Sequence, residues 1–253
     1  MAGTFSLEPI QTEPAYRIAA RALREKIVSG EIAVGSALPS EMAMAELLSV
    51  NRSTVREAIR ALEETGVVAR RPGGKKLFVT APPPATLSDR MTTAMVLHRV
   101  TVEEMWHAML VLEPGTAALA ALHATDAQLA ALEANLAATE SLVADAAAIP
   151  ALDLAFHDLI AEASGNRAIQ LARQPLGALF YPAFERIFQH LDAGGRMLAA
   201  HRAIADALKA RDAATAEGWM RKHIVDFRRG WELAGLDLSE PVTASSERLD
   251  RPT

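Results

Sequence analysis

Apolar residues recur at helical spacing near the start of the chain and, after a run of prolines, through almost all that follows. Tyr16 to Val28 carries the first such stripe, and Ser29-Gly30 supplies a stop. Pro39-Ser40-Glu41 predicts the start of a second helix, running to about Leu48. Ser40 can cap the free amides there, and Glu41 favours the positive end of the helix dipole. A turn through Val50-Asn51 leads to a third helix, from Ser53 to Thr65, closed by Gly66. Val67–Arg70 and Leu77–Val79 then read as two short strands about the turn Pro72-Gly73-Gly74.

Pro82-Pro83-Pro84 cannot continue a helix or a central strand, so residues 81–86 are expected to form a stiff, extended linker. Beyond it the pattern is helical throughout, over 87–96, 101–123, 126–147, 150–163, 166–174, 176–190, 194–210 and 213–235. Residues 237–253 are polar and aperiodic and are expected to be mobile. The predicted fold class is mainly α. An N-terminal winged helix-turn-helix over 12–80 is followed by the linker and an all-α helical bundle over 87–236.

Composition narrows the chemistry. Cysteine is absent, which excludes disulfides, thiolate metal sites and cysteine nucleophiles. The N-terminal residues lack a basic stretch followed by an apolar one, and the apolar segments are expected to be interrupted by charge before they could span a bilayer. A cytoplasmic protein with no membrane partner is therefore expected. The net charge of -5 is divided unevenly, +2 over residues 1–80 and -7 over the remainder. Only the first segment could favour a polyanion.

The basic residues of that segment are clustered. Val55, Ile59 and Leu62 form the buried stripe of the third helix, leaving Arg52, Ser53, Arg56 and Arg60 on other faces. Arginine near the N-terminus of such a helix can donate two hydrogen bonds to guanine, and Ser53 or Thr54 can reach a phosphate. Lys75 and Lys76 at the hairpin tip are placed to touch the DNA backbone or minor groove. Arginines on a helix describe a solvated face equally well; the surrounding pattern separates the two. Leu23–Val68, with Ile27-x-x-Gly30, Leu38-Pro39-Ser40-Glu41 and Val50-x-Arg52-x-x-Val55-Arg56-Glu57-Ala58-Ile59-x-x-Leu62-Glu63-x-x-Gly66, resembles the signature of the GntR family of transcriptional regulators. The resemblance implies that Arg52 and Arg56 read bases, supported by Glu41, Ser53, Thr54 and the Ser40 backbone amide. Lys76 stands where the family wing carries a second glycine.

Of the seven histidines, His157 is the most suggestive, because Asp153 lies four residues earlier on the same helix face. Such a pair alone is an ordinary surface contact. The segment Asp153–Ile169, however, resembles the FCD sensor domain that defines the FadR-like branch of the family. His201 in AAHRAIADAL and His223 in RKHIVDF match its later helices. The resemblance implies that Asp153, His157, His201 and His223 hold one divalent metal per subunit, zinc or nickel, leaving coordination positions for a ligand. The implied effector is a small carboxylate. Many relatives carry an arginine four positions before the glutamate matching Glu113, where this chain has Met109. Arg173 or His107 could take that role. Asn166 is a further family feature, either a helix cap or a ligand contact.

The whole implies a homodimeric repressor that binds a pseudo-palindromic operator and is released by an organic acid. Two alternatives stay open: a purely structural metal, and a metal-dependent hydrolase.

Overall fold

The structure, a computed structural model, describes residues 13–190 and 193–243. It divides after Thr86 into two compact units.

The first unit contains α1 (Ala15–Val28), α2 (Glu41–Leu48), α3 (Arg52–Glu64), β1 (Val68–Arg70) and β2 (Leu77–Val79). The expected stripe of α3 is buried: Val55, Ile59 and Leu62, with Ala58, meet Leu23, Leu38, Met44, Val68, Leu77 and Val79 in one core. Each fully buried branched side chain stabilises by about 1.5–3 kcal/mol. Ser40 caps α2 by accepting from the Ala43 amide at 3.2 Å, and Ser49 turns the chain at φ 52 before Asn51 opens α3. The strands pair antiparallel with Ala69 opposite Phe78. A third extended segment adds to them, with Gly35 and Leu38 amides donating to Val79 and Leu77 carbonyls. Gly66 ends α3 at φ +73, where an added Cβ would stand 3.3 Å from Pro82 Cα. Both conformation and space therefore require glycine there.

The second unit is a bundle of α4 (Pro84–Leu97), α5 (Val102–His123), α6 (Asp126–Ser141), α7 (Ile149–Ala163), α8 (Arg167–His190), α9 (Gly194–Lys209) and α10 (Ala213–Leu233). Capping boxes start α5 at Thr101–Glu104 and α6 at Thr125–Gln128. The central helix is α5, which packs along α10 and touches α7, α8 and α9. It is long and apolar enough by composition to cross a membrane, contrary to the expected interruption by charge. Here that apolarity serves the core: Met105, Met109, Ala117 and Ala120 are all buried.

Four expectations need correction. The linker is shorter than residues 81–86, because α4 begins at Pro84, whose missing N–H the first helical turn would not use. α6 stops at Ser141 rather than 147, because Asp145 turns the chain by accepting from the Ala147 and Ala148 amides. Residues 166–174 and 176–190 form one helix, α8, with Pro175 and Pro182 inside it. Finally, residues 237–243 are not a loose tail. The Val102 and Glu103 amides donate to the Glu240 and Leu238 carbonyls, Val242 donates to Val100, and its side chain is buried. Residues 244–253 lie outside the described residues. Val242→Asp is expected to destabilise the second unit by about 2 kcal/mol or more, measurable as a lowered urea midpoint.

Candidate functional site

In the first unit, the expected contact residues gather on one face. Ser40, Glu41 and Arg52 share an open groove with Lys75 and Lys76 of the β1–β2 loop. Glu41 Oε2 accepts from Arg52 Nε at 3.1 Å and from Arg56 Nε at 2.8 Å. Both arginines donate only Nε to the protein among the described hydrogen bonds, and their side chains are more than half exposed. Glu41 has its pKa lowered, chiefly by the hydrogen bond from Arg56, with that from Arg52 adding to it against the cost of burial. Ser53 is exposed on the first turn of α3, and Thr54 is half-buried.

Arg70 was not anticipated. Its Nη1 donates to the Lys75 carbonyl at 2.6 Å, its Nε lies 3.2 Å from Glu63, and its Nη2 lies 3.9 Å from Glu41. It ties the β1–β2 loop to α2 and α3. The sequence signal was its place at the end of β1.

In the second unit, Asp153 and His157 on α7, His201 on α9 and His223 on α10 converge, and all four are buried. One ligand atom from each lies within 4.8 Å of all the others. Nε2 of His223 is 3.2 Å from Nε2 of His157 and 3.3 Å from that of His201. Asp153 Oδ1 is 3.2 Å from His201 Nε2, 3.7 Å from His223 Nε2 and 3.9 Å from His157 Nε2, yet has no hydrogen-bond partner among the described residues. Ligands held about 2.0–2.2 Å from one ion stand about 3–4 Å from each other, so these spacings fit a divalent cation. A buried, unpartnered carboxylate oxygen facing three imidazole nitrogens lacks a positive charge at their centre. Imidazole and carboxylate donors without thiolate suit zinc, nickel or a similar ion.

The surroundings orient these donors. Glu113 on α5, fully buried, accepts from His157 Nδ1 at 3.0 Å, which leaves the Nε2 lone pair facing the cluster. Glu113 Oε1 accepts from Arg173 Nε on α8 at 2.7 Å. The ring of His201 stacks on Phe156 with centroids 3.8 Å apart. Burial alone would raise the Glu113 pKa, but His157 and Arg173 beside it outweigh that and hold the carboxyl at about 2. Burial also opposes ionisation of Asp153, yet the adjacent His201 and His223 hold it below the usual range. His201 is pushed down by burial to about 3 and His157 is raised, because Glu113 outweighs the effect of burial.

Because the Glu113 pKa drops from 4.5 unfolded to about 2 folded, its stabilisation is complete above pH 4.5 and lost as the pH falls toward 2. Glu113→Gln is expected to cost about 1–3 kcal/mol at neutral pH, because it leaves buried Arg173 with Asp158 as its remaining carboxylate partner. Denaturant titrations should show that difference from the parent shrinking in acid.

The remaining candidates are placed differently. Met109 is buried in the core one turn before Glu113, whereas His107 is exposed beside Trp106. Asn166 accepts from the Ala168 and Ile169 amides at 3.0 and 3.2 Å, so its Oδ1 caps α8. A small cavity beside His223 is lined by Phe184, Met197, Phe227, Asp226 and Arg196. Arg196, the cation there, follows no motif and was not anticipated from sequence.

A helix-turn-helix unit with a hairpin, followed by a helical bundle built around buried imidazoles, defines a DNA-binding protein with a separate sensing domain. Residues 15–75 match the model of bacterial regulatory proteins of the gntR family, and residues 104–226 match the FCD domain. A solved structure of Streptococcus agalactiae GntR is 30% identical, covers 85% of this chain and 99% of its own, and superposes with a TM-score of 0.57. The HTH-type transcriptional regulator LutR of Bacillus subtilis is 28% identical over 205 residues, 79% of this chain and 93% of LutR. The HTH-type transcriptional repressor NanR of Salmonella newport is 26% identical over 221 residues, 84% of each chain. The chain belongs to the GntR family of transcriptional regulators, with an FCD effector-binding domain. That family consists of DNA-binding regulators rather than enzymes.

Proposed function

We propose that this regulator is a homodimeric repressor whose grip on a pseudo-palindromic operator is loosened when a small organic acid binds at a divalent-metal site in the FCD domain. The observation that carries this is the convergence of Asp153 Oδ1 with the Nε2 atoms of His157, His201 and His223. Those four residues hold the ion, and the ion supplies Lewis acidity toward a carboxylate when bound. Glu113 keeps His157 in the ligating tautomer. The small cavity beside His223 suits a compact acid better than a long acyl chain, and Arg196, 3.8 Å from Asp226, lines it. Arg173 already serves two protein carboxylates, which makes it a supporting group rather than the carboxylate anchor.

On the DNA side, Arg52 and Arg56 read bases, and Glu41 holds them in orientation. Ser53, Thr54, the Ser40 amide, Lys75 and Lys76 contact the backbone. Ligand and DNA need only favour different conformations of the dimer for coupling to arise. Operator binding followed by fluorescence anisotropy, with zinc-loaded and metal-stripped protein and a panel of small carboxylates, tests this. A carboxylate that weakens operator binding only in metal-loaded protein supports it; none doing so overturns the sensing role.

The near-complete burial of all four ligands favours a second reading, in which the metal is purely structural. Loss of folding on removal of the ion, without any ligand response in loaded protein, would establish that instead.

A further inference from the structure

We infer that Arg173 is a positioning residue for the metal site, fixing Glu113 so that His157 presents Nε2 to the ion; this rests on the metal-binding function proposed above. The contacts form a closed circuit through three helices. His157 Nδ1 on α7 meets Glu113 Oε2 on α5 at 3.0 Å, and Glu113 Oε1 accepts from Arg173 Nε on α8 at 2.7 Å. Arg173 Nη1 then donates back to α7, to Asp158, the residue next to the ligand His157. One guanidinium therefore locks the orienting carboxylate to the same helix that carries two of the four ligands.

Burial sharpens this. Glu113 is fully buried and Arg173 only 2% exposed, so neither carboxylate oxygen of Glu113 has water as an alternative partner. Without the guanidinium, Glu113 could rotate away from His157, and the imidazole would lose the acceptor that selects its tautomer. The space for the guanidinium is reserved by Gly177, one turn along α8. An added Cβ there would lie 2.9 Å from Leu154 Cδ1 and 3.4 and 3.5 Å from the Arg173 terminal nitrogens.

A simpler role for Arg173 would be to neutralise the buried Glu113, and a lysine would do that equally well. A lysine is a point charge, whereas the planar fork of arginine serves Glu113 and Asp158 together. The two roles therefore separate experimentally. Zinc affinity of the metal-stripped full chain is measured by competition with a chelator, and the visible spectrum of the cobalt-substituted protein reports ligand geometry. The variants are Arg173→Lys, which keeps the charge and the fold, and Arg173→Met.

Both variants are expected to bind zinc about ten- to hundredfold more weakly than the parent, with an altered cobalt spectrum. If Arg173→Met does not fold, Arg173→Lys decides. Zinc affinity of Arg173→Lys within threefold of the parent and a superimposable cobalt spectrum overturn this role and leave the proposed function intact. A parent protein that binds no zinc or cobalt overturns the metal-binding function itself, and this inference with it.

Discussion

Replacing His157 by alanine is expected to abolish tight binding of a divalent ion by the full chain. His157 is one of four converging side chains that could hold an ion, and the one whose second nitrogen meets Glu113. Loss of an orienting partner alone costs about ten- to hundredfold in metal affinity, so loss of the ligand should cost at least hundredfold, about 2.7 kcal/mol. The effect should also appear in stability. An ion at a hundred times its dissociation constant stabilises the folded state by about 2.7 kcal/mol. Zinc should therefore raise the thermal transition of the second unit in the parent and leave that of His157→Ala nearly unmoved. Metal analysis of both proteins, purified without a histidine tag, checks the first outcome, and calorimetry with and without zinc checks the second. A His157→Ala protein retaining one ion per subunit would exclude the four-residue site.

Arg56→Ala is expected to weaken specific operator binding by about 1–3 kcal/mol at fixed salt, roughly 5- to 150-fold. Arg56 is more than half exposed while its Nε is tied to Glu41, so the side chain would meet DNA already oriented. Lys76→Ala should instead weaken binding to operator and random DNA alike, by less, and lower the salt slope by about one unit. Anisotropy titrations at several salt concentrations distinguish the two. Normal operator affinity in Arg56→Ala would remove α3 from the recognition role.

The DNA-binding half was legible in detail because its signals are local. The α3 stripe, the Ser40 cap, the Gly66 stop and the hairpin each depend on residues a few positions apart. The extended segment at Gly35–Leu38 escaped notice, because its pairing with β2 joins residues distant in sequence and its composition has no alternation. In the bundle, prolines misled. Pro175 looks like a helix breaker, yet the carbonyl it leaves free belongs to Leu171, on an exposed part of α8, where water can satisfy it. That Asp153, His157, His201 and His223 come together was legible only through the family pattern, since nothing local says that α7, α9 and α10 meet. Arg173 and Arg196 could be placed only by the tertiary fold. Both act across helices, and no spacing encodes that.

The donor set at the centre of the bundle also decides which signals the protein can ignore. Cysteine is absent from the whole chain, so the ion would be held by imidazole and carboxylate alone. Thiolate sites surrender their metal when sulfur is oxidised, and they answer to peroxide and disulfide stress. Around a redox-inert ion such as zinc, three imidazoles and an aspartate have no comparable chemistry. Such a site would stay loaded through an oxidative burst and report metabolite supply undisturbed by the redox state of the cell.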